Sequence, residues 1–133
     1  MKRFTLPLLA IAMIIAFCTT DGKAQQATGK VYWMSTTVVP FGKLQEFYAF
    51  QSKELIPVQE KNGYHFIAGW QTIIGDIEEV VTVAEFDDMD AYQKARASLL
   101  ASPEWKTMGS KMEGLTRGLR TRMLSALPYI KMK

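Results

Sequence analysis

Gly75 to Trp105 reads GDIEEVVTVAEFDDMDAYQKARASLLASPEW, a run that spells out a strand, a capped helix and the opening of another helix. Gly75-Asp76 is a tight-turn pair, and Val80, Val81 and Val83 supply the β-branched side chains that suit a pleated surface. The strand spans Ile77 to Phe86. Asp87 or Asp88 caps the helix that follows, and its inner stripe is Met89, Tyr92, Ala95 or Arg96, and Leu99. That helix runs to about Leu100. Ser102 as N-cap, Pro103 at the first helical position and Glu104 in the first turn then start a further helix carrying Trp105, through about Met112.

Working outward, Tyr64 to Ile74 reads as a second strand, joined to Ile77–Phe86 in an antiparallel hairpin with Ile74 opposite Ile77. This parity places Phe66, Ala68, Trp70, Val81, Val83 and Glu85 on one face, and His65, Ile67, Gly69, Gln71, Thr82, Ala84 and Phe86 on the other. The first face is the more apolar and is assigned to helix packing. Upstream, Phe41, Leu44, Phe47, Tyr48, Leu55 and Val58 recur at helical spacing, interrupted by Gln51. Pro57 predicts a kink or an early end, and Asn62-Gly63 a C-cap. Lys30 to Val39 is the first strand, stopped by Pro40. Downstream, Gly114 and Gly118 loosen the chain before a last strand around Leu119 to Leu127.

The order is β-α-β-β-α-(α)-β, which predicts an α+β, ferredoxin-like four-stranded antiparallel sheet with two main helices on one face. The opposite face still holds Ile67, Val80, Ala84 and Phe86, so it needs a cover. A homodimer whose sheets pack face to face and close into a dimeric α/β barrel provides one.

Residues 1–24 read as a secretory signal peptide. Lys2 and Arg3 precede an apolar segment from Phe4 to Phe17, and the small residues of Gly22-Lys23-Ala24 place cleavage after Ala24. The apolar run is shorter than the roughly 20 residues of a membrane span, so no stable span is expected in the mature chain. Its expected destination is the periplasm or the extracellular space. Cys18 follows the apolar run where a lipoprotein would be acylated, but Phe17 is bulky where such signals carry Gly, Ala or Ser.

Cys18 is the only cysteine, so the mature domain, residues 25–133, has no disulfide, reactive thiolate or cysteine metal ligand. Removing residues 1–24 lowers the formal net charge from +3 to +1. Nothing resembles the clustered positive charge that nucleic acid requires.

His65 is the sole histidine and faces the presumed cavity, where it is a candidate general base or axial haem ligand. Without an orienting acid it is an incomplete site, and a packing residue at a strand start is the simpler account. No HxH pair or carboxylate cluster has metal-ligand spacing, so neither metal nor cofactor is expected. Trp33, Trp70 and Trp105 are read as core. Arg117, Arg120 and Arg122 would serve an anionic ligand at the barrel mouth or, more simply, protect a strand edge. Phosphate loops and Gly-x-Ser-x-Gly are absent from the sequence.

In order along the chain, several pieces resemble the NIPSNAP family of the dimeric α/β-barrel superfamily. They are Gly42-Lys43-Leu44 with Glu46-Phe47, Pro57 with Asn62-Gly63, Gly69-Trp70 before Gly75, Glu79-Val80-Val81 with Phe86, Arg96, and Ser102-Pro103-Glu104-Trp105. The resemblance implies a dimeric barrel with a cavity in each sheet and an activity undefined for most members. Two positions depart from it: relatives often carry a histidine at Thr82 and an aromatic residue at Ala84, so no role of that histidine transfers. The wider superfamily includes cofactor-free monooxygenases, haem-degrading enzymes and isomerases, among which fold does not choose.

The expectation is therefore an exported homodimer binding a small, partly apolar molecule, with His65, Ile67, Gln71 and Thr82 as ligand contacts. A cofactor-independent monooxygenase or isomerase, with His65 as its polar group, and a purely structural dimer are the alternatives.

Overall fold

A computed structural model describes residues 29–130. The expected signal peptide with its cleavage point, and Cys18, lie outside the described residues. Strand β1 (Val31–Val38) leads through a 3-10 turn (Phe41–Lys43) into α1 (Leu44–Phe50), a π-helical segment (Gln51–Leu55) and α2 (Ile56–Lys61). Then come β2 (His65–Gln71), β3 (Glu79–Phe86), α3 (Met89–Ala101), α4 (Pro103–Leu115) and β4 (Gly118–Ser125). All strand pairs are antiparallel and the order across the sheet is β2-β3-β1-β4, the expected ferredoxin-like arrangement. No helix among the described residues is long and apolar enough to cross a membrane.

Local chemistry explains most boundaries. Asp88 accepts a hydrogen bond from the Ala91 N–H at 2.7 Å and caps α3; Ser102 accepts one from the Trp105 N–H at 3.2 Å and caps α4. Gly63, at φ +96°, ends α2: its N–H reaches the Glu60 carbonyl and the Tyr64 N–H the Gln59 carbonyl. Pro57 does not stop the helix. The turn before it widens, with the Ile56 N–H donating to the Gln51 carbonyl five residues back, and the π-helical segment accommodates the proline ring and its missing donor. Gly114 likewise lies within α4 rather than loosening the chain.

The hairpin keeps the predicted parity but is wider, since the last pair is Gln71 with Val80 and Ile74 and Ile77 fall in the connection. A β-bulge at Ile67, between Phe66 and Ala68, then shifts the register. On β3, and on β2 beyond the bulge, the assignment of faces is reversed, whereas Phe66 lies toward the helices and His65 away from them as expected. Val31, Trp33, Phe66, Val80, Thr82, Ala84 and Phe86 lie toward the helices, while Ala68, Trp70, Val81, Val83 and Glu85 lie on the uncovered face. Contact rather than the count of apolar residues makes the choice: Ala84 is small enough for Ala95 and Leu99 of α3 to pack beside it.

The core divides in two. Val39, Leu44, Phe47, Phe50, Leu55, Val80, Met108 and Leu115 form one cluster; Val31, Tyr64, Ala84, Phe86, Ala95 and Leu99 form the other. Val58 and Trp105 touch both. Two of the three clustered arginines are held in ion pairs across elements, Arg117 with Glu78 at 2.9 Å and Arg120 with Glu79. β4 is an edge strand, so these charges fit the reading of edge protection.

Candidate functional site

One row across the helix-covered face of the sheet carries no bulky side chain. Gly69 pairs with Thr82, Thr82 with Ser35, and Ser35 with Thr121. Small side chains cannot reach the helices above, so the two core clusters are separated by a cavity of about 250 Å³. Ser35, Thr37, Thr82 and Thr121 supply hydroxyls from the sheet side, with Trp33 and Leu119 beside them. Gln51 and Leu55 of the π-helical segment, Gln59 of α2, Tyr92, Arg96 and Leu99 of α3, and Trp105 and Met112 of α4 complete most of the lining. Arg96, Leu100, Leu119 and Thr121 are exposed and mark the mouth; Ser35, Thr37, Gln59, Tyr64 and Leu99 are buried.

The lining is rich in unused hydrogen-bonding capacity. Among the described residues, the side chains of Ser35, Thr37, Gln51, Gln59, Thr82, Arg96 and Thr121 make no hydrogen bond to protein, and no sealed-off side-chain N or O atom lacks a partner. These groups therefore open onto the cavity, where water or a ligand completes them. Gln59 is the clearest case, with only 5% of its surface exposed.

Tyr64 stands edge-on to Trp33, with ring centroids 5.4 Å apart, and to Phe86 at 5.1 Å. Burial, reinforced by the nearby Tyr92 hydroxyl and opposed by Arg96, pushes the Tyr64 phenol up to about 12. Tyr64 is therefore a neutral hydroxyl at physiological pH.

Of the four residues expected to contact a ligand, only Thr82 lines this cavity. His65 sits at the exposed start of β2, in a surface recess with Gly63, Glu85 and Asp87. The bulge leaves Ile67 at the sheet edge, 46% exposed. Gln71 accepts from the Tyr48 hydroxyl and donates to the Ile77 carbonyl at 3.1 Å, tying the hairpin to α1. Trp33 and Trp105 pack on the core and form cavity wall together, whereas Trp70 is 59% exposed on the uncovered face rather than core. Reasoning from sequence missed Ser35, Thr37, Gln51, Gln59 and Thr121. Gln51 did leave a signal, as the polar break in an apolar helical stripe.

Among the described residues no three His, Cys, Asp or Glu side chains cluster to hold a metal ion. A larger recess of about 480 Å³ between α1 and α4 is an open groove lined mainly by charged and small side chains. Its Lys111 is already paired with Glu54 and lies 5.9 Å from the Phe50 ring centre.

The NIPSNAP family model matches residues 32–131. The chain belongs to the NIPSNAP family. Its fold is similar to a NIPSNAP family protein from Agrobacterium tumefaciens, at 18% identity and a TM-score of 0.71, covering 78% of this chain and 99% of that one. It is also similar to an uncharacterised NIPSNAP-like domain protein from Burkholderia xenovorans, at 22% identity and 0.70, covering 79% and 91%. A more distant likeness is to a protein provisionally named an antibiotic biosynthesis monooxygenase from Bacteriodes thetaiotaomicron, at 18% identity and 0.58, covering 80% and 99%. At these identities the likeness is one of fold. No curated protein matches the chain in sequence. In this NIPSNAP chain, Thr82 sits in the middle of the cavity's small row.

Proposed function

We propose that this NIPSNAP protein is an exported homodimer that binds a small, partly apolar molecule between its sheet and its helices. The observation that carries the reading is the cavity of about 250 Å³, flanked by Trp33 and Trp105 and furnished with hydroxyl and amide groups that have no protein partner. Aromatic walls with a few convergent polar groups are what small-molecule sites share. Its volume is slightly below the usual range of such pockets, which fits a small ligand.

Dimerisation is supported by the uncovered sheet face, where Met34, Val81, Trp70 and Leu124 present apolar surface with no helix over it. Sheet-on-sheet packing would bury it. Export rests on the charge and hydropathy pattern of residues 1–24.

The alternative, a cofactor-independent monooxygenase or isomerase, draws on the monooxygenase-like fold relative. Proton abstraction would need a base in the cavity. Its described lining contains no carboxylate, imidazole or thiol, and Tyr64 stays protonated until about pH 12. Binding without catalysis is the reading we favour.

Native mass spectrometry of protein purified from its own host tests all three parts. The expected species is two chains beginning at Gln25 with a small molecule retained. A ligand-free monomer of the full-length chain at micromolar concentration would sink the proposal.

A further inference from the structure

Resting on the ligand-cavity reading, we infer that the molecule bound is a small organic monoanion, held by its charged end at Arg96 with its apolar body between Trp33 and Trp105. Among the described residues of the lining, Arg96 carries the only formal charge. It stands at the mouth, where an anion keeps part of its hydration and the desolvation cost of an ion pair is lowest.

Among the described residues Arg96 has no internal counterion. On its own helix the positions three and four residues away are Tyr92, Gln93, Leu99 and Leu100, so no neighbouring carboxylate can pair with it. Five other cations, Lys30, Lys61, Lys111, Arg117 and Arg120, each find a carboxylate on a different element. Among the described residues Arg96 has no such partner, and its planar fork matches a carboxylate in two-point contact.

Deeper in, the ligand meets no further charge. Gln59, buried with its amide open to the cavity, offers both a donor and an acceptor to one polar group at the far end of the molecule. The hydroxyls of Ser35 and Thr82 lie beside that path. A carboxylic acid built on an aromatic or short aliphatic body meets these requirements, and a cation or a multiply charged phosphate does not.

The test compares acids with their neutral amides. Benzoate and phenylacetate, against benzamide and phenylacetamide, are titrated into the mature protein, with tryptophan fluorescence and ligand-observed NMR as readouts. Each acid is expected to bind at least about tenfold more tightly than its amide, the range of one charge-assisted contact. Arg96→Gln is expected to erase that preference, with an unchanged thermal unfolding midpoint reporting an intact fold; Arg96→Lys, which keeps the charge without the fork, should keep part of it. Equal affinity of acid and amide in the unaltered protein, or a preference that survives Arg96→Gln, overturns the anion assignment and leaves the cavity reading standing. Binding of neither class overturns both.

Discussion

On the helix-covered face of the sheet, Val31 and Ala84 at one end and Val80 near the other are sealed against the helices, while Ser35, Thr82 and Thr121 between them touch little but a cavity. The uncovered face has the opposite arrangement. Its middle is apolar, with Met34, Val81 and Val83, and its rim is charged, with Glu79, Glu85, Arg120 and Arg122. A face that is polar in the middle cannot be filled by its own core and holds a space. A face that is apolar in the middle with a charged rim has the composition of a mating surface. On the proposed reading the two sides of one sheet serve different partners, a small molecule on one and a second copy on the other.

Substitutions can break this contrast in order of size. Phe47 is fully buried in the cluster on the covered face, so Phe47→Ala should lower unfolding stability by about 3–5 kcal/mol, read by chemical denaturation. A loss under about 1 kcal/mol would mean that this cluster is not the core it resembles. On the uncovered face, Val81→Lys should halve the mass in sedimentation equilibrium while the monomer still unfolds cooperatively. An unchanged mass would remove the mating surface from the account.

Alkaline pH probes the covered face at Tyr64. Its phenol is raised in the folded state to about 12 from the ordinary 10, so the unfolded chain releases the proton first. The contribution is therefore fully present below pH 10 and is lost between pH 10 and about 12, amounting to roughly 2 kcal/mol. Tyr64→Phe should flatten that part of the pH profile, and an unaltered slope would show that another group carries it. The smallest effect is expected in the cavity row itself. The Thr82 hydroxyl has no protein partner, so Thr82→Val should change stability by about 0.5 kcal/mol or less, in contrast to Phe47. A large loss would mean that the row is packed rather than hollow.

Much of the architecture was legible because its signals are local. Asp88, Ser102-Pro103 and Asn62-Gly63 each act within one turn of chain, and the valines of β3 and the apolar stripe of α1 need no distant partner to be read. The site was harder to see. The sequence puts Thr82 among the ligand contacts, but on the face opposite the helices; it groups His65 with Thr82 by an alternation that the bulge at Ile67 breaks, while Gln71 does share Thr82's face but is spent on Tyr48 and Ile77. Gln51 showed only as a gap in a stripe, and Gln59 was not singled out at all.

What the sequence by itself determined is the order of elements, their caps and turns, the antiparallel hairpin and the family, since each follows from residues close in the chain or from their ordered spacing. Which face the helices cover, where the core divides and which polar groups share a cavity were decided only in the folded molecule. The reason is physical. A sheet with two apolar faces has no local preference between them, and the choice falls to helices arriving from elsewhere in the chain, where Ala84 admits Ala95 and Leu99. Gly69, Thr82, Ser35 and Thr121 come from four strands, and only cross-strand register sets them in one row.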